Sequence, residues 1–330
     1  MDLLVDPRGR IRFGLYDEPV GRVNHEDFHL LTPLGRPVSR LRKKFSFHHF
    51  VFLGIIDPGF IVGLAVVDLG YLVNGFFYVY NRRTRRLTET SRLGWPGAGV
   101  FIDPRPDMVK SRFQSPKLTM EMDAGAFSAK GKDISISGRL DYQATPPLRI
   151  CTRAGYRGWV YKQSTTPVKL TAELTTAEGE FHLASPASLA LIDWSCGHMR
   201  RETYWNWTAT AWTLPDGRPL GLNLSCGVNE TSFTESYFLL DGRLTKLDMV
   251  NFEFDPQDLL KPWRITSFDR RMDLCFQAEG RRGENVNALA VKSRFTQLMG
   301  LLEGRLTTAE GEEIEIVSCP AWAEDHYALW

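Results

Sequence analysis

Along much of this chain apolar and polar residues alternate with a period of two. Leu118, Met120 and Met122 interleave with Thr119, Glu121 and Asp123, and Val168, Leu170, Ala172 and Leu174 with Lys169, Thr171 and Glu173. Val250, Phe252 and Phe254, and later Ile314 and Ile316, repeat the pattern. Successive side chains of a strand point to opposite faces, so the alternation predicts strands buried on one face. Turn residues fall between the runs at Asp57-Pro58-Gly59, Pro215-Asp216-Gly217, Asp241-Gly242 and Glu310-Gly311, where hairpins are expected. The best helix candidate is Val286 to Leu298, where Val286, Leu289, Ala290 and Leu298 partly follow a 3.6-residue period. Little other helix is expected.

The same order of residues occurs twice. Lys43-Lys44-Phe45-Ser46-Phe47-His48-His49-Phe50 aligns with Arg200-Arg201-Glu202-Thr203-Tyr204-Trp205-Asn206-Trp207 at a separation of 157 residues. At that separation Pro58 meets Pro215 and Arg86-Leu87 meets Arg243-Leu244. One residue of slippage brings Gly63-Leu64 onto Gly221-Leu222, and Gly138-Arg139-Leu140 recurs as Gly304-Arg305-Leu306. The reading is a duplicated β unit, with an N-terminal arm over 1–35, a first barrel over 36–185 and a second over 186–330. Closing each sheet into a barrel removes its open edges and leaves an interior able to hold one small ligand. Two packed sandwiches without a cavity satisfy the same strand spacing.

Composition adds mostly exclusions. Forty basic against thirty-nine acidic residues leave a net charge of +1, so no global field draws the chain to nucleic acid. The basic runs Arg82-Arg83-Thr84-Arg85-Arg86 and Arg281-Arg282 read as solvated hairpin tips. The start lacks the basic and apolar regions of a signal peptide. Asp57-Pro58-Gly59 cuts the most apolar stretch, Phe50 to Val73, into two short runs, which argues against integral membrane insertion. Five scattered cysteines suit a reducing cytoplasm, and no CxxC pair offers a metal site. No nucleotide fingerprint is present; Pro96 spoils Gly94-Trp95-Pro96-Gly97-Ala98-Gly99 as a phosphate cradle. No cofactor is expected.

The segment Asp193-Trp194-Ser195-Cys196-Gly197-His198-Met199-Arg200-Arg201-Glu202-Thr203-Tyr204-Trp205-Asn206-Trp207, with the closing Ala323-Glu324-Asp325-His326-Tyr327-Ala328-Leu329-Trp330, resembles a bacterial family catalogued as a domain of unknown function. That family is similar to the twin-lipocalin group containing the carotenoid hydratase (hydroxyneurosporene synthase) and certain Diels–Alder cyclases. The resemblance covers roughly residues 36 to 330 and implies an all-β fold of two tandem lipocalin-like antiparallel barrels. It transfers no catalytic residue.

Candidate chemistry centres on the strand after Arg200. Alternation puts Arg200, Glu202, Tyr204, Asn206 and Thr208 on one face and Arg201, Thr203, Trp205 and Trp207 on the other. Polar groups aimed into an apolar barrel would orient a ligand, and a buried Glu202 would have the raised pKa that proton transfer needs. An Arg200–Glu202 ion pair with Asn206 bonded to backbone is the structural alternative. In the repeat His49 takes the place of Asn206 and His48 that of Trp205, and only one of the two histidines can face a barrel interior. His25 and His29 read as surface residues of a loop. Asp193, Ser195 and His198 are triad residue types, but no GxSxG elbow surrounds Ser195. Glu202, Glu324, His198 and His326 are therefore the candidate acids and bases. Asp193, Arg200, Tyr204, Trp205, Asn206, Trp207 and His49 are the candidate ligand contacts. The expected partner is a hydrophobic small molecule, isoprenoid, polyketide or lipid-like. Either it is transformed by cofactor-independent acid–base chemistry (a hydratase, isomerase or cyclase), or a non-catalytic carrier or sensor holds it.

Overall fold

The computed structural model describes residues 2–97, 99–228, 233–288 and 291–330. The first sheet contains β1 (Gly14–Leu15), β2 (Phe47–Ile56), β3 (Phe60–Asp68), β4 (Val73–Asn81), β5 (Arg86–Gly94), β6 (Val100–Ile102) and β7 (Ser111–Gln114). It continues with β8 (Thr119–Asp123), β9 (Ala126–Lys130), β10 (Ser135–Asp141), β11 (Leu148–Ala154), β12 (Gly158–Thr176) and β13 (Gly179–His198). Its order is β5-β4-β3-β2-β13-β12-β10-β9-β8-β7-β6, with β11 pairing β12 and β1.

The second sheet contains β14 (Glu202–Thr213), β15 (Pro219–Cys226), β16 (Tyr237–Leu240), β17 (Arg243–Lys246) and β18 (Val250–Glu253). It is completed by β19 (Trp263–Ser267), β20 (Met272–Ala288), β21 (Val291–Thr307) and β22 (Glu313–Leu329), in the order β17-β16-β15-β14-β22-β21-β20-β19-β18. Both sheets are antiparallel and curl: β6 and β7 come against β2 and β3, and β18 against β15. The chain is thus nearly all β, two tandem lipocalin-like barrels. One short α-helix, α1 (Arg40–Ser46), starts where the Ser39 hydroxyl accepts from the Arg42 amide.

The duplication is visible in the pairing. β2 lies between β3 and β13, as β14 lies between β15 and β22, so Phe47 and Tyr204 hold equivalent places. The one-residue slip has a physical origin. Four residues link the pairs Ile56↔Ile61 in the first hairpin, and five link Thr213↔Pro219 in the second. The Gly138/Gly304 match, by contrast, falls on β10 and β21, which hold different places in their sheets. The expected junction at 185/186 lies inside β13, which pairs with β12 and β2 of the first sheet up to His198; the chain crosses between sheets over 199–201.

The expected helix at Val286–Leu298 is instead the β20–β21 hairpin; Leu289 and Ala290 lie outside the described residues. Cross-strand pairing along two long strands overrides a weak 3.6-residue period. Two clusters fill the barrels: Val51, Leu53, Trp159 and Trp194 in the first, Leu222, Leu224, Trp263 and Phe276 in the second. A third, with Leu191, Trp207, Met299 and Trp322 at its heart, lies between the sheets. The arm is no loose tail, for Leu4, Tyr16, Val20 and Val23 join the first core. No helix among the described residues is long and apolar enough to cross a membrane.

Candidate ligand site at the junction of the sheets

Strand alternation decides which side chains meet between the barrels. Trp207 and Ala209 of β14 pack in the inter-sheet cluster with Leu191 of β13 and Phe52 of β2, and Trp205 lies against it. Thr208 and Thr210 face the other way, opposite Leu224 and Leu222 of the second core. On β22, Glu324 and His326 pair with Trp207 and Trp205 and share their face. On β13, Asp193 and Ser195 follow Leu191 onto the same side. The inter-sheet space is therefore lined by aromatic rings with acids among them.

Glu324 is the chemically distinctive group. Trp205 Nε1 donates to its Oε2 at 3.1 Å and Gln297 Nε2 to its Oε1 at 2.6 Å. Burial pushes its pKa up to about 7, against the opposing pull of those two donors and the Arg282 charge; Asp193 raises it further. Gln297 can serve both protonation states. With the amide turned, its oxygen, otherwise unpartnered, accepts from a protonated carboxyl. A carboxyl that holds or releases a proton near neutrality suits general acid–base work.

Histidines flank this acid. His326 meets Ser293 Oγ at 3.0 Å through Nε2 and packs on Trp205 with ring centroids 4.1 Å apart. His48 makes no well-formed hydrogen bond at either ring nitrogen, and its ring lies 4.7 Å from that of Trp330. Burial lowers the pKa of His48 to about 4, only partly offset by the Phe45 backbone, and that of His326 to about 3. His198 is likewise held down to about 3, by burial first and then by the charges of His25 and Lys43; its Nδ1 meets Ser46 Oγ at 2.9 Å.

A cavity of about 400 Å³ opens at the end of this space. His48, Tyr71, His198 and Trp330 line it from the sheets, Leu30 to Pro33 and Val38 from the arm, and Arg42 and Phe45 from α1. Trp330 joins cavity to acid: its ring lies 6.4 Å from that of Trp205, nearly parallel, and Trp205 holds Glu324.

Only part of the expected site assembles here. His198 and Arg200 line the cavity, and Arg200 donates to the Gly227 carbonyl. Trp205 and Trp207 share one environment, as alternation requires, but theirs is the face toward the acid. Glu202, first residue of β14, is exposed and accepts from the Tyr327 hydroxyl at 3.0 Å; it is not the buried acid the sequence suggested. Tyr204 is also exposed, and Asn206 donates to Asp325 Oδ1 at 3.2 Å. His49 points into the first barrel, where its ring lies 4.4 Å from that of Trp194 and burial lowers its pKa to about 3. His48 therefore takes the cleft position, and the repeat contains the signal, since His48 matches the cleft-facing Trp205. His29 is exposed as expected, while His25 is half-buried, its ring stacked on that of Phe47 with centroids 3.6 Å apart.

Three charged groups stand in pairings that sequence reasoning did not find. Lys162 Nζ bonds Asp193 Oδ2 and Glu235 Oε2, both at 2.8 Å, joining the first sheet to the second. Burial alone would pull its pKa down, but the two carboxylates raise it above the ordinary lysine value. Asp193 is thus a structural partner, its own pKa raised chiefly by burial. Arg282, expected at a solvated tip, lies buried over the Phe76 ring at 4.1 Å and pairs with Glu89. Arg82 in the other basic run pairs with Glu279 across the sheets at 3.2 Å.

Fold and site together define an all-β protein of two lipocalin-like barrels with a ligand-sized cavity where they meet. The chain belongs to the family described as a domain of unknown function, DUF2804, which matches residues 1–330. Among curated proteins, none matches it. Solved structures share the fold at low identity. An AttH-like protein of Nitrosomonas europaea is 11% identical with a TM-score of 0.50, covering 91% of this chain and 98% of that one. CghA is similar in two structures, each 11% identical with a TM-score of 0.56. One, with Sch210972, covers 86% of this chain and 88% of CghA; the other covers 100% and 96%.

Proposed function

We propose that the protein binds a hydrophobic small molecule at the junction of its barrels and transforms it by cofactor-independent acid–base chemistry of the hydratase, isomerase or cyclase type. The observation that carries this reading is Glu324, a carboxyl with a pKa of about 7 set in an aromatic wall. The ligand's apolar body enters past His48 and Trp330 and reaches the acid behind Trp205. Glu324 then gives or takes the proton, and Gln297 turns its amide to match the new charge. The occurrence of a small molecule, Sch210972, in a structure of the similarly folded CghA supports a ligand in this architecture.

One observation favours a carrier or sensor instead: among the described residues no Asp or Glu side chain lines the cavity itself. Glu324→Gln separates the two readings. The ligand is first identified by mass spectrometry of protein purified from its own host. Turnover of that molecule should fall about 10²-fold or more in the variant while binding survives. Unchanged turnover removes Glu324 from the mechanism, and binding without turnover in the natural chain leaves the carrier.

A further inference from the structure

The cavity wall carries an uneven charge. Among the described residues Arg42, Arg157, Arg200 and Arg201 line it with His48 and His198, and no acidic side chain does. In a chain with nearly equal numbers of basic and acidic residues, four arginines in one cavity wall are a bias that a purely apolar ligand does not use. The rest of the wall is apolar: Leu30, Leu31, Val38, Phe45, Met199 and Trp330. Within it Arg157 buries a nitrogen that has no hydrogen-bond partner among the described residues, and His48 and His198 are both only 1% exposed. Arg157 Nε is thus a buried donor without a partner, which is costly and points to an acceptor that completes it.

We propose that the cavity takes an amphiphile, its anionic head, a carboxylate or a phosphate, held by Arg42 and Arg157 and its apolar body against Trp330 and His48. The proposal rests on the ligand-binding reading above and adds the head group to it. Guanidinium forks match both carboxylate and phosphate in geometry. The volume of about 400 Å³ suits one small ligand. The wall then orients the molecule: Arg42 and Arg157 fix the head, and the tail points past Trp330 toward Trp205 and Glu324.

The test is a titration of the full chain, followed by tryptophan fluorescence and calorimetry, with four probes sharing one tail: dodecanoate, dodecyl phosphate, dodecanol and dodecyltrimethylammonium. Either anion should bind about tenfold or more tighter than dodecanol, and the cation should bind worst. The anionic preference should shrink with added salt and in the double variant Arg42→Ala/Arg157→Ala, while dodecanol binding stays unchanged. The carboxylate and phosphate arms say which head is preferred. Equal binding of dodecanol and both anions overturns the head-group proposal and leaves the hydrophobic-ligand reading standing. Binding of none of the four overturns both. Preserved dodecanol binding in the double variant also shows that its cavity is folded.

Discussion

Glu324 couples the site to pH in a direction fixed by the sign of its shift. The folded chain holds this proton up to about pH 7, the unfolded chain only to its ordinary value of 4.5. Its contribution to stability is fully present below 4.5 and is lost as pH rises to about 7, to a limit of about 3 kcal/mol. Glu324→Gln mimics the protonated state, and Gln297 can turn to accept from the new amide. Urea denaturation should therefore show the variant gaining on the natural chain between pH 4.5 and 7.5; a constant difference across that window would refute the assignment. The buried histidines act oppositely. His48, His198 and His326 stay neutral far below 6.5, so their contribution is complete above that value and is lost as pH falls toward 3. Of this chemistry, the sequence displayed the residue types but not their partners. Glu202 and Glu324 look alike as letters; strand position exposes one and encloses the other.

At the scale of elements, the repeat was legible because hairpin chemistry is local: Pro58 and Pro215 mark equivalent turns. The face of each strand was also legible, since Trp205 and Trp207 do share a side. Which side looks at the second barrel was not, because alternation defines two faces without saying what lies beyond either. The close approach of β15 to β12 makes a sharp prediction. A Cβ on Gly221 would sit 2.3 Å from the Thr166 carbonyl carbon and oxygen, and backbone atoms held in a strand yield little. Gly221→Ala should cost about 1–3 kcal/mol or more by chemical denaturation. Gly59→Ala, whose Cβ would come no nearer than 3.5 Å to the Asp57 side chain, should change stability little, so a Gly221→Ala protein as stable as Gly59→Ala would contradict the packing.

Across the whole molecule, the two barrels are joined by an aromatic cluster and by ion pairs, among them the buried group of Lys162 with Asp193 and Glu235. Removing the cation leaves two carboxylates facing each other without compensation. Lys162→Met should therefore cost about 3–5 kcal/mol, more than the methylenes it keeps could offset. The loss should appear as a shift of one cooperative transition rather than the melting of one half. Two separated transitions in the natural chain would show that the junction does not couple the barrels. Nothing in the sequence announces this group, because Lys162 and Glu235 meet only after the sheets have formed.

The placing of β13 and β22 fixes an order of events while the chain is being made. β2 ends at Ile56 and its partner β13 begins at Gly179; β14 likewise waits for β22. At bacterial or eukaryotic elongation rates β2 and β14 each emerge roughly ten seconds before the strand that covers their open edge. During that interval Val51, Leu53 and Ile55 stand on a strand with one side unpaired, an invitation to join a neighbouring nascent chain. Ribosomes crowded on one message would make that encounter frequent, so the yield of this protein in a cell depends on how its synthesis is spaced and chaperoned as well as on the stability of the finished fold.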